Sequence, residues 1–311
     1  MPFLAELSEI ITEHEPLAPL TWFELGGPAR WFARPRSIPE LQTLVRQCNV
    51  EGVELFRLGR GANLLVSDEG VDGVVVRLDM PAFQEIVWPT DLRSDTVLVR
   101  VGGGVDMATL ARDAVNRGLA GLECMGGIPG SMGGIIRMNA GGRFGQIADV
   151  VRDVTIIDEA GNLRTLSHDE VGFSYRRTRL GDATVVGATL ALQPVDPGPL
   201  RERFLEIMQY KKASQPPMGD KSAGCIFKNP PGQSAGALID RAGLKGRSVN
   251  GAYVSEKHAN FIMAREGGTA RDVLTLIGIV RREVAERFGV ELELEIEVWD
   301  RRRARSSEPV L

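Results

Sequence analysis

The chain contains 311 residues, of which 43% are hydrophobic and 25% are charged, and its formal net charge is −4 at pH 7. This composition is typical of a soluble globular protein, and the length is sufficient for two domains. The negative charge argues against a general nucleic-acid or membrane-surface binder. No apolar run reaches the roughly 20 residues that a membrane-spanning helix needs. We therefore expect a cytoplasmic protein that has neither nucleic acid nor membrane as a partner.

The cysteines and histidines indicate neither a disulfide framework nor a metal centre. Cys48, Cys124 and Cys225 are an odd, widely spaced set without a CxxC pair, and the three histidines form no HExxH motif. Disulfide frameworks and zinc sites need paired cysteines or regularly spaced ligands. We expect no metal.

Hydrophobic periodicity predicts strands and helices along the first two thirds of the chain. A capping box at residues 37–40 opens a helix whose apolar face includes Cys48, and a second helix covers residues 106–117. Prolines and a glycine at residues 194–199 break the pattern and mark a domain boundary. The predicted strands are 30–34, 54–58, 74–78, 96–101, 154–157, 163–166 and 184–192.

The last third of the chain is predicted to contain three helices and a strand. The first helix should turn Phe204, Leu205 and Met208 inward. Apolar residues and glutamates alternate from residue 290 to residue 299, which is the period of a strand. Arginines between residues 301 and 305 form a basic tail, most simply a solvated, disordered end. The predicted helices are 200–212, 234–242 and 269–288.

Residues 124–142 contain seven glycines, and the remaining chain is organised around this stretch. Backbone at glycine can approach a ligand closely, because no side chain stands in the way. Methionine, isoleucine and proline alternate with the glycines, which favours a semi-buried, close-packed turn over a flexible polar linker. The stretch therefore predicts a cradle for a phosphate or a cofactor.

Two further glycine turns do not fit the dinucleotide fingerprint of a Rossmann fold. In residues 59–64, Leu64 takes the place of the third glycine, and the residues that follow are apolar and β-branched. After the glycines at 102–104, Met107 stands where the last glycine of the fingerprint should be. A Rossmann nucleotide site is therefore disfavoured.

Several short motifs follow one another over nearly the whole chain. They are LGRGANLLV (58–66), GLE (121–123), GIPGSMGG (127–134), MNAG (138–141), SYR (174–176), AGCIFKNP (223–230), AGALID (235–240), AGLKG (242–246), VSEKHANF (254–261) and LELE (292–295). Together, and in this order, they resemble the UDP-N-acetylenolpyruvoylglucosamine reductase family. The compact length is similar to the shorter type of that family, which lacks an inserted substrate-closing loop.

The resemblance implies an α+β fold with an FAD-binding region of the vanillyl-alcohol-oxidase type. This region would cover residues 1–198, with subdomains of about 1–78 and 79–198, followed by a C-terminal α+β substrate-binding domain at 199–300 and a basic tail at 301–311. The implied reaction belongs to peptidoglycan synthesis: reduction of the enolpyruvyl group of UDP-N-acetylglucosamine enolpyruvate to give UDP-N-acetylmuramate, with NADPH as co-substrate. We expect a monomer whose partner is this nucleotide sugar.

The same resemblance places the FAD diphosphate on backbone donors of 59–64 and 127–134, with Asn139, Ala140 and Gly141 near the flavin ring. Neither glycine segment contains a histidine, and Cys124 lies at the margin, so we expect noncovalent FAD. The candidate cofactor-binding residues are Gly59, Arg60, Gly61, Ala62, Asn63, Leu64, Gly127, Ile128, Pro129, Gly130, Ser131, Gly133, Gly134, Asn139, Ala140 and Gly141.

The implied reaction places negative charge on the carbon that bears the substrate carboxylate, so it needs cationic or hydrogen-bonding groups and a proton donor. By resemblance, Arg176 stabilises the enolate, and Glu295 polarises the carboxylate as an acid or orients a partner. Cys225 stands where the family usually has the serine that gives the proton. Without the resemblance, these residues have simpler interpretations. Arg176 could be a surface arginine, Glu295 a solvated glutamate on an edge strand, and Cys225 a cysteine that packs as a small apolar side chain.

The substrate-binding candidates are Tyr175, Lys212, Lys228 and Asn229. Ordinary solubilising charge is the alternative for the lysines, and we favour it for the neighbouring Lys211. Two other functions stay open: an FAD-dependent oxidase of a small hydroxylated substrate on the same scaffold, and a nonenzymatic flavin- or nucleotide-sugar-binding relative. Oxygen-driven turnover without NADPH would identify the oxidase.

Overall fold

The computed structural model describes residues 5–217 and 219–301, which divide into two compact units. Unit 1 comprises the described residues up to Thr12, Trp31–Arg60 and Gly73–Lys211. Unit 2 comprises Glu13–Arg30, Gly61–Asp72 and the described residues from Lys212 onward. The domain limits expected from sequence stay a prediction, and the basic tail lies outside the described residues from position 302 onward.

Seven α-helices occur in the described part of the chain, and no helix there is both long and apolar enough to cross a membrane. They are α1 (Ile38–Val50), α2 (Met107–Asn116), α3 (Met132–Arg137), α4 (His168–Val171), α5 (Pro197–Ser214), α6 (Ala235–Arg241) and α7 (Ala270–Phe288).

The strands are short except for one. They are β1 (Ile11–Pro16), β2 (Pro28–Ala33), β3 (Leu55–Leu58), β4 (Leu64–Val66), β5 (Val71–Arg77), β6 (Ile86–Val87), β7 (Val97–Gly102), β8 (Leu119–Ala120), β9 (Gly141–Gly142), β10 (Gly145–Gln146), β11 (Val151–Ile157), β12 (Leu163–Ser167), β13 (Thr184–Pro194), β14 (Ser248–Val249), β15 (Ala252–Val254), β16 (Ile262–Ala264) and β17 (Glu297–Trp299).

The main sheet of unit 1 has the strand order β12-β11-β13-β7-β6, and its neighbouring strands are antiparallel. The long strand β13 also pairs with β8 through its last residues. A second sheet has the order β1-β2-β5-β3, in which β3 and β5 are parallel. Alternate side chains of β7 and β13 are buried together with α2 and α3, which gives unit 1 its largest apolar core.

Unit 2 is built around the predicted long helix, α7. Its buried stripe packs with α6 and with strands β15 and β16. Both ends follow the sequence signals, since Thr269 and Asp272 form a capping box and Gly289 adopts the left-handed conformation. Strand β17 pairs in parallel with β4. The buried residues of the stripe are Val273, Leu276, Ile277, Val280 and Val284.

Three sequence expectations need correction. The strand expected at 290–299 is shorter in the structure and covers only the residues of β17. Residues 290–296 do not pair with a strand of the described chain; Leu294 forms an isolated bridge with Phe227. The capping box of α1 is half formed: Ser37 caps the helix, but the Glu40 carboxylate accepts the backbone N–H of Arg36. The predicted turn at 124–142 contains a helix, α3, because burial of its apolar side chains outweighs the low helix propensity of glycine.

The inward face of α5 also differs from the prediction. Leu205 is 57% exposed, whereas Leu200 and Ile207 are buried and Phe204 is half-buried. Five residues advance a helix by well over one turn, so Leu205 cannot share the face of Leu200, whereas a spacing of seven returns to it.

We expect Thr269→Ala to lower the free energy of unfolding by about 1 kcal/mol, because it leaves the Asp272 N–H of the first turn of α7 without its side-chain acceptor. Urea denaturation would measure the change. Thr275→Ala is the matched control, since Thr275 lies exposed within the same helix and bonds only to the Arg271 carbonyl of the preceding turn. An equal loss in both variants would contradict the capping role.

Candidate active site

A cavity of about 280 Å³ lies inside unit 1, where the ends of β3 and β5 approach the start of α3. Five of the predicted cofactor-binding residues line it: Gly59, Arg60, Ser131, Gly133 and Gly134. The first residues of the motif at 58–66 and the last residues of the motif at 127–134 therefore line one cavity.

The cavity wall depends on glycine. A Cβ atom at Gly59 would lie 2.5 Å from the Ser131 hydroxyl oxygen. A Cβ atom at Gly104 would overlap the Leu78 carbonyl oxygen. The backbone N–H of Gly133 donates to the Gly103 carbonyl at 2.7 Å, so this segment packs directly on the turn after β7. Glycine at these positions therefore permits the close packing of the wall, and we call the part formed by Gly59, Ser131, Gly133 and Gly134 the cradle.

Four arginine side chains line the same cavity, which suits an anionic ligand. Arg60 pairs with Asp106 at 3.0 Å, while Arg137 donates to the carbonyl groups of Gly181 and Ala183. The other two, Arg57 and Arg77, also pair with carboxylates, of Asp182 and Asp79.

Sequence reasoning missed part of this cavity. Gly103 and Gly104 line it, although the glycine run 102–104 is set aside above because it fails the Rossmann fingerprint. The glycine run was the sequence signal for these two residues, because glycines can line a ligand cavity without forming a Rossmann dinucleotide turn. Arg57 and Arg77 gave no sequence signal, because isolated arginines at strand positions are ordinary on protein surfaces.

The remaining predicted cofactor residues lie elsewhere. Gly127, Ile128, Pro129 and Gly130 belong to unit 1 but do not line the cavity, and the same holds for Asn139, Ala140 and Gly141. Gly61, Ala62, Asn63 and Leu64 belong to unit 2. Among backbone donors of the cradle, the N–H groups of Met132 and Gly133 are bonded to the Val105 and Gly103 carbonyls.

Unit 2 brings together the chain segments of Cys225 and Glu295. The Glu295 N–H donates to the Ile226 carbonyl at 2.8 Å, and the Glu295 carbonyl accepts from the Asn63 side chain at 3.0 Å. Both Cys225 and Glu295 are half-buried, whereas Glu291 and Glu293 are exposed. The burial pattern thus separates the predicted catalytic glutamate from these two neighbours.

The buried Asn260 fixes the backbone beside Cys225. Its side-chain oxygen accepts the Phe227 N–H at 2.9 Å, and its side-chain nitrogen donates to the Phe227 carbonyl at 2.8 Å. Its own carbonyl accepts the Ile226 N–H at 2.9 Å. The motif VSEKHANF at 254–261 therefore supports the segment that carries the thiol.

The predicted substrate-binding residues have different surroundings. Lys228 is mostly buried and pairs with Glu293 at 2.5 Å. The side-chain oxygen of Asn229 accepts the Ala235 N–H at the start of α6. Lys212 is exposed, and Tyr175 is 52% exposed.

Lys211 is not the solubilising charge that the sequence favours. Its Nζ donates to the Gly126 carbonyl at 2.5 Å, beside the glycine-rich stretch. Burial lowers the pKa of Lys211 to about 8, because removal from water disfavours the ammonium form. A lysine of this kind supports the loop that it contacts.

Arg176 lies in a tight turn of unit 1. Ser174 and Arg177 close the turn through two backbone hydrogen bonds, and Arg176 has a left-handed backbone with φ 55°. Its Nη2 donates to the Gly141 carbonyl at 2.8 Å, and its guanidinium lies 5.3 Å from the Tyr175 ring centroid. The motifs MNAG and SYR are therefore in contact.

Comparison with known proteins identifies the family. The chain is 44% identical to UDP-N-acetylenolpyruvoylglucosamine reductase 2 of Symbiobacterium thermophilum, over 93% of this chain and 92% of the relative. This chain belongs to the UDP-N-acetylenolpyruvoylglucosamine reductase family. The family member of Heliobacterium modesticaldum is 42% identical, over 92% of this chain and 90% of the relative. The crystal structure of the Thermus caldophilus reductase has a TM-score of 0.78 and 38% identity, and the match covers 93% of this chain and 98% of that chain.

Two domain families match different parts of the chain. Residues 29–167 match the FAD binding domain, and residues 215–299 match the UDP-N-acetylenolpyruvoylglucosamine reductase C-terminal domain. These matches confirm the predicted fold class, an FAD-binding region of the vanillyl-alcohol-oxidase type followed by a C-terminal α+β domain. Members of the reductase family are oxidoreductases, so the chain is an enzyme of that class, and the FAD domain supports flavin binding.

We expect Gly59→Ala to weaken FAD binding at least about tenfold while the protein stays folded, because the new methyl group would displace Ser131 from the cradle. Fluorescence titration of the apoprotein with FAD would measure the affinity. Gly278→Ala is the control, since the site on α7 has nothing within 4 Å. Unchanged FAD affinity in Gly59→Ala would show that the cradle does not hold the cofactor.

Proposed function

We propose that this chain reduces the enolpyruvyl group of UDP-N-acetylglucosamine enolpyruvate to give UDP-N-acetylmuramate in peptidoglycan synthesis, with noncovalent FAD and NADPH as co-substrate. The observation that carries the proposal is the adjacency of the Cys225 and Glu295 segments, in the domain matched to the reductase C-terminal family. The reaction requires a proton donor and a hydrogen-bonding group at the substrate, and a thiol and a glutamic acid can supply them.

The glycine cradle of unit 1 fits the diphosphate of FAD. Gly59, Ser131 and Gly134 would hold the phosphate oxygens, because backbone and hydroxyl donors reach them where no side chain intervenes. Arg60 and Arg137 would supply positive charge at the rim. Ala62, Asn63, residues 127–130, Ala140 and Gly141 are also proposed to bind FAD. FAD held there would supply the hydride for the terminal vinyl carbon, with NADPH as the source of its electrons.

Side chains of the protein are proposed to stabilise the developing negative charge and to supply the proton. Arg176 is proposed to hold the substrate carboxylate while negative charge spreads into it, since a guanidinium can donate two parallel hydrogen bonds. Glu295 is proposed to polarise the substrate carboxylate as an acid or to orient a partner. The thiol of Cys225 gives its proton to the carbon that bears the carboxylate, which completes the saturated lactyl group.

Binding of the nucleotide sugar is assigned to Tyr175, Lys212, Lys228 and Asn229. Tyr175 offers an exposed ring, and the Lys228 ammonium is held by Glu293 in a half-buried position. We further propose that the protein acts as a monomer in the cytoplasm.

NADPH oxidation under anaerobic conditions tests the proposal against the oxidase alternative. Beyond the one equivalent that reduces the flavin, the reductase should consume NADPH only when UDP-N-acetylglucosamine enolpyruvate is present, and each further NADPH consumed should yield one UDP-N-acetylmuramate. Oxygen consumption with a hydroxylated substrate, without NADPH, would instead identify an oxidase.

Arg176→Lys should lower the rate of substrate reduction on the order of 100-fold or more, because one ammonium cannot replace a bidentate guanidinium. Reduction of the flavin by NADPH should stay unchanged. Rapid-mixing absorbance measurements separate the two steps. The neighbouring exposed residue provides the control variant Arg177→Lys, which should retain both rates. Full activity of Arg176→Lys would remove Arg176 from the catalytic set.

The wild-type rate should fall at alkaline pH as the thiol that donates the proton ionises, whereas Cys225→Ser should show no such fall. Iodoacetamide should inactivate the wild type selectively at Cys225. Burial raises the pKa of Cys48 to about 12 and that of Cys124 to about 11, so these thiols stay unreactive. Identical pH profiles together with indifference to iodoacetamide would refute proton donation by the thiol.

A further inference from the structure

Asn139 is a buried residue whose side-chain amide is engaged inside unit 1. It is 1% exposed, and its backbone is left-handed with φ 40°. Its Nδ2 donates to the Gln146 side-chain oxygen at 3.0 Å and to the Ser174 carbonyl at 2.9 Å. Its Oδ1 accepts the Ala148 N–H at 3.3 Å. The amide therefore acts as both donor and acceptor for groups of the protein.

One of these partners, Ser174, begins the turn that carries Arg176. The Ser174 N–H donates to the Arg177 carbonyl at 2.9 Å, and the Arg177 N–H donates back at 3.2 Å. Arg176 has a left-handed backbone, which a non-glycine residue keeps only where surrounding contacts enforce it. The hydrogen bond from Asn139 restrains the turn at its first carbonyl group.

The loop that contains Asn139 also contacts the far end of Arg176. The Gly141 carbonyl, two residues after Asn139, accepts from the Arg176 guanidinium at 2.8 Å. Gly141 pairs with Gln146 in the β9–β10 hairpin, and Gln146 is itself a partner of Asn139. A Cβ atom at Gly141 would lie 2.5 Å from the Gln146 Cα atom, so this pairing tolerates only glycine. The loop thus holds both the backbone and the guanidinium of Arg176.

We propose that Asn139 is a positioning residue for Arg176, acting through the Ser174 carbonyl, instead of a side-chain ligand of the flavin. The inference rests on the proposed function, in which Arg176 holds the substrate carboxylate. Misplacement of such a group by about 1 Å can cost on the order of 100-fold in rate. Asn139 would therefore be required for substrate reduction without touching substrate.

Two variants separate the hydrogen bonds of Asn139 from its backbone conformation. Asn139→Gly keeps the left-handed backbone without strain and removes every side-chain bond. Asn139→Asp keeps the size of the side chain and the acceptor for the Ala148 N–H, but loses the donor to Ser174. Asn250→Gly is the matched control, because Asn250 is also left-handed, at φ 44°, and its Nδ2 donates to Asp272 in unit 2.

A double-mutant cycle with the FAD-loaded protein gives the kinetic test. In the wild-type background, Asn139→Gly and Asn139→Asp should each slow reoxidation of the flavin by substrate on the order of 10- to 100-fold, while NADPH-driven reduction stays unchanged. In the Arg176→Ala background, the same changes should have almost no further effect, because the group that they position is absent. Losses of equal size in both backgrounds would overturn the proposal, as would full activity of the single variants.

Hydrogen–deuterium exchange provides a readout that does not depend on turnover. Both Asn139 variants should speed exchange of the Arg177 N–H in the turn, whereas Asn250→Gly should leave it unchanged. Unaltered exchange in the Asn139 variants would overturn the positioning role. If Arg176→Ala retains full activity, the proposed function of Arg176 fails, and the exchange result still decides whether Asn139 holds the turn.

Discussion

Close packing of backbone on backbone is the constraint on which the cavity of unit 1 depends. The turn after β7 lies against the start of α3, with Gly133 bonded to the Gly103 carbonyl. At Gly59 and Gly104 a single added carbon would collide with Ser131 or with the Leu78 carbonyl. Glycine at these positions therefore lets the chain segments pack this closely around a cavity that four arginines also line. The same glycines that weaken regular secondary structure thus permit the packing that the proposed FAD site requires.

Buried asparagine amides stabilise the two irregular segments that contain Arg176 and Cys225, the residues that we propose to be catalytic. Asn139 holds the turn of Arg176 in unit 1, and Asn260 holds the segment beside Cys225 in unit 2. In each case one side chain both donates to and accepts from backbone that belongs to no regular sheet. Loops need such partners because buried backbone polar groups without hydrogen bonds are costly. The residues that we propose to be catalytic, Arg176 and Cys225, thus lie on irregular backbone that hydrogen bonds hold in place.

Most of the regular structure follows from local signals, and the site follows only in part. Helix α7 and strands β11 and β12 form where hydrophobic periodicity predicts a helix and two strands, because these signals are contained in the segments themselves. The short length of β17 could not be predicted, since it depends on a partner, β4, more than 200 residues earlier in the chain. The motifs predicted that the segments of Gly59 and Ser131 lie close together, and both residues line the cavity. The arginines of the cavity and the protein-bound amide of Asn139 depend on tertiary packing, which no single motif encodes.

The central claim is that one flavin passes electrons from NADPH to an enolpyruvyl nucleotide sugar. A single-turnover absorbance experiment tests it most directly: the purified flavoprotein is reduced with one equivalent of NADPH without oxygen, and UDP-N-acetylglucosamine enolpyruvate is then added. The account predicts that NADPH bleaches the flavin band and that the substrate restores it, with one equivalent of UDP-N-acetylmuramate. A band that returns only after oxygen is admitted, or folded protein that binds no flavin, would contradict the account.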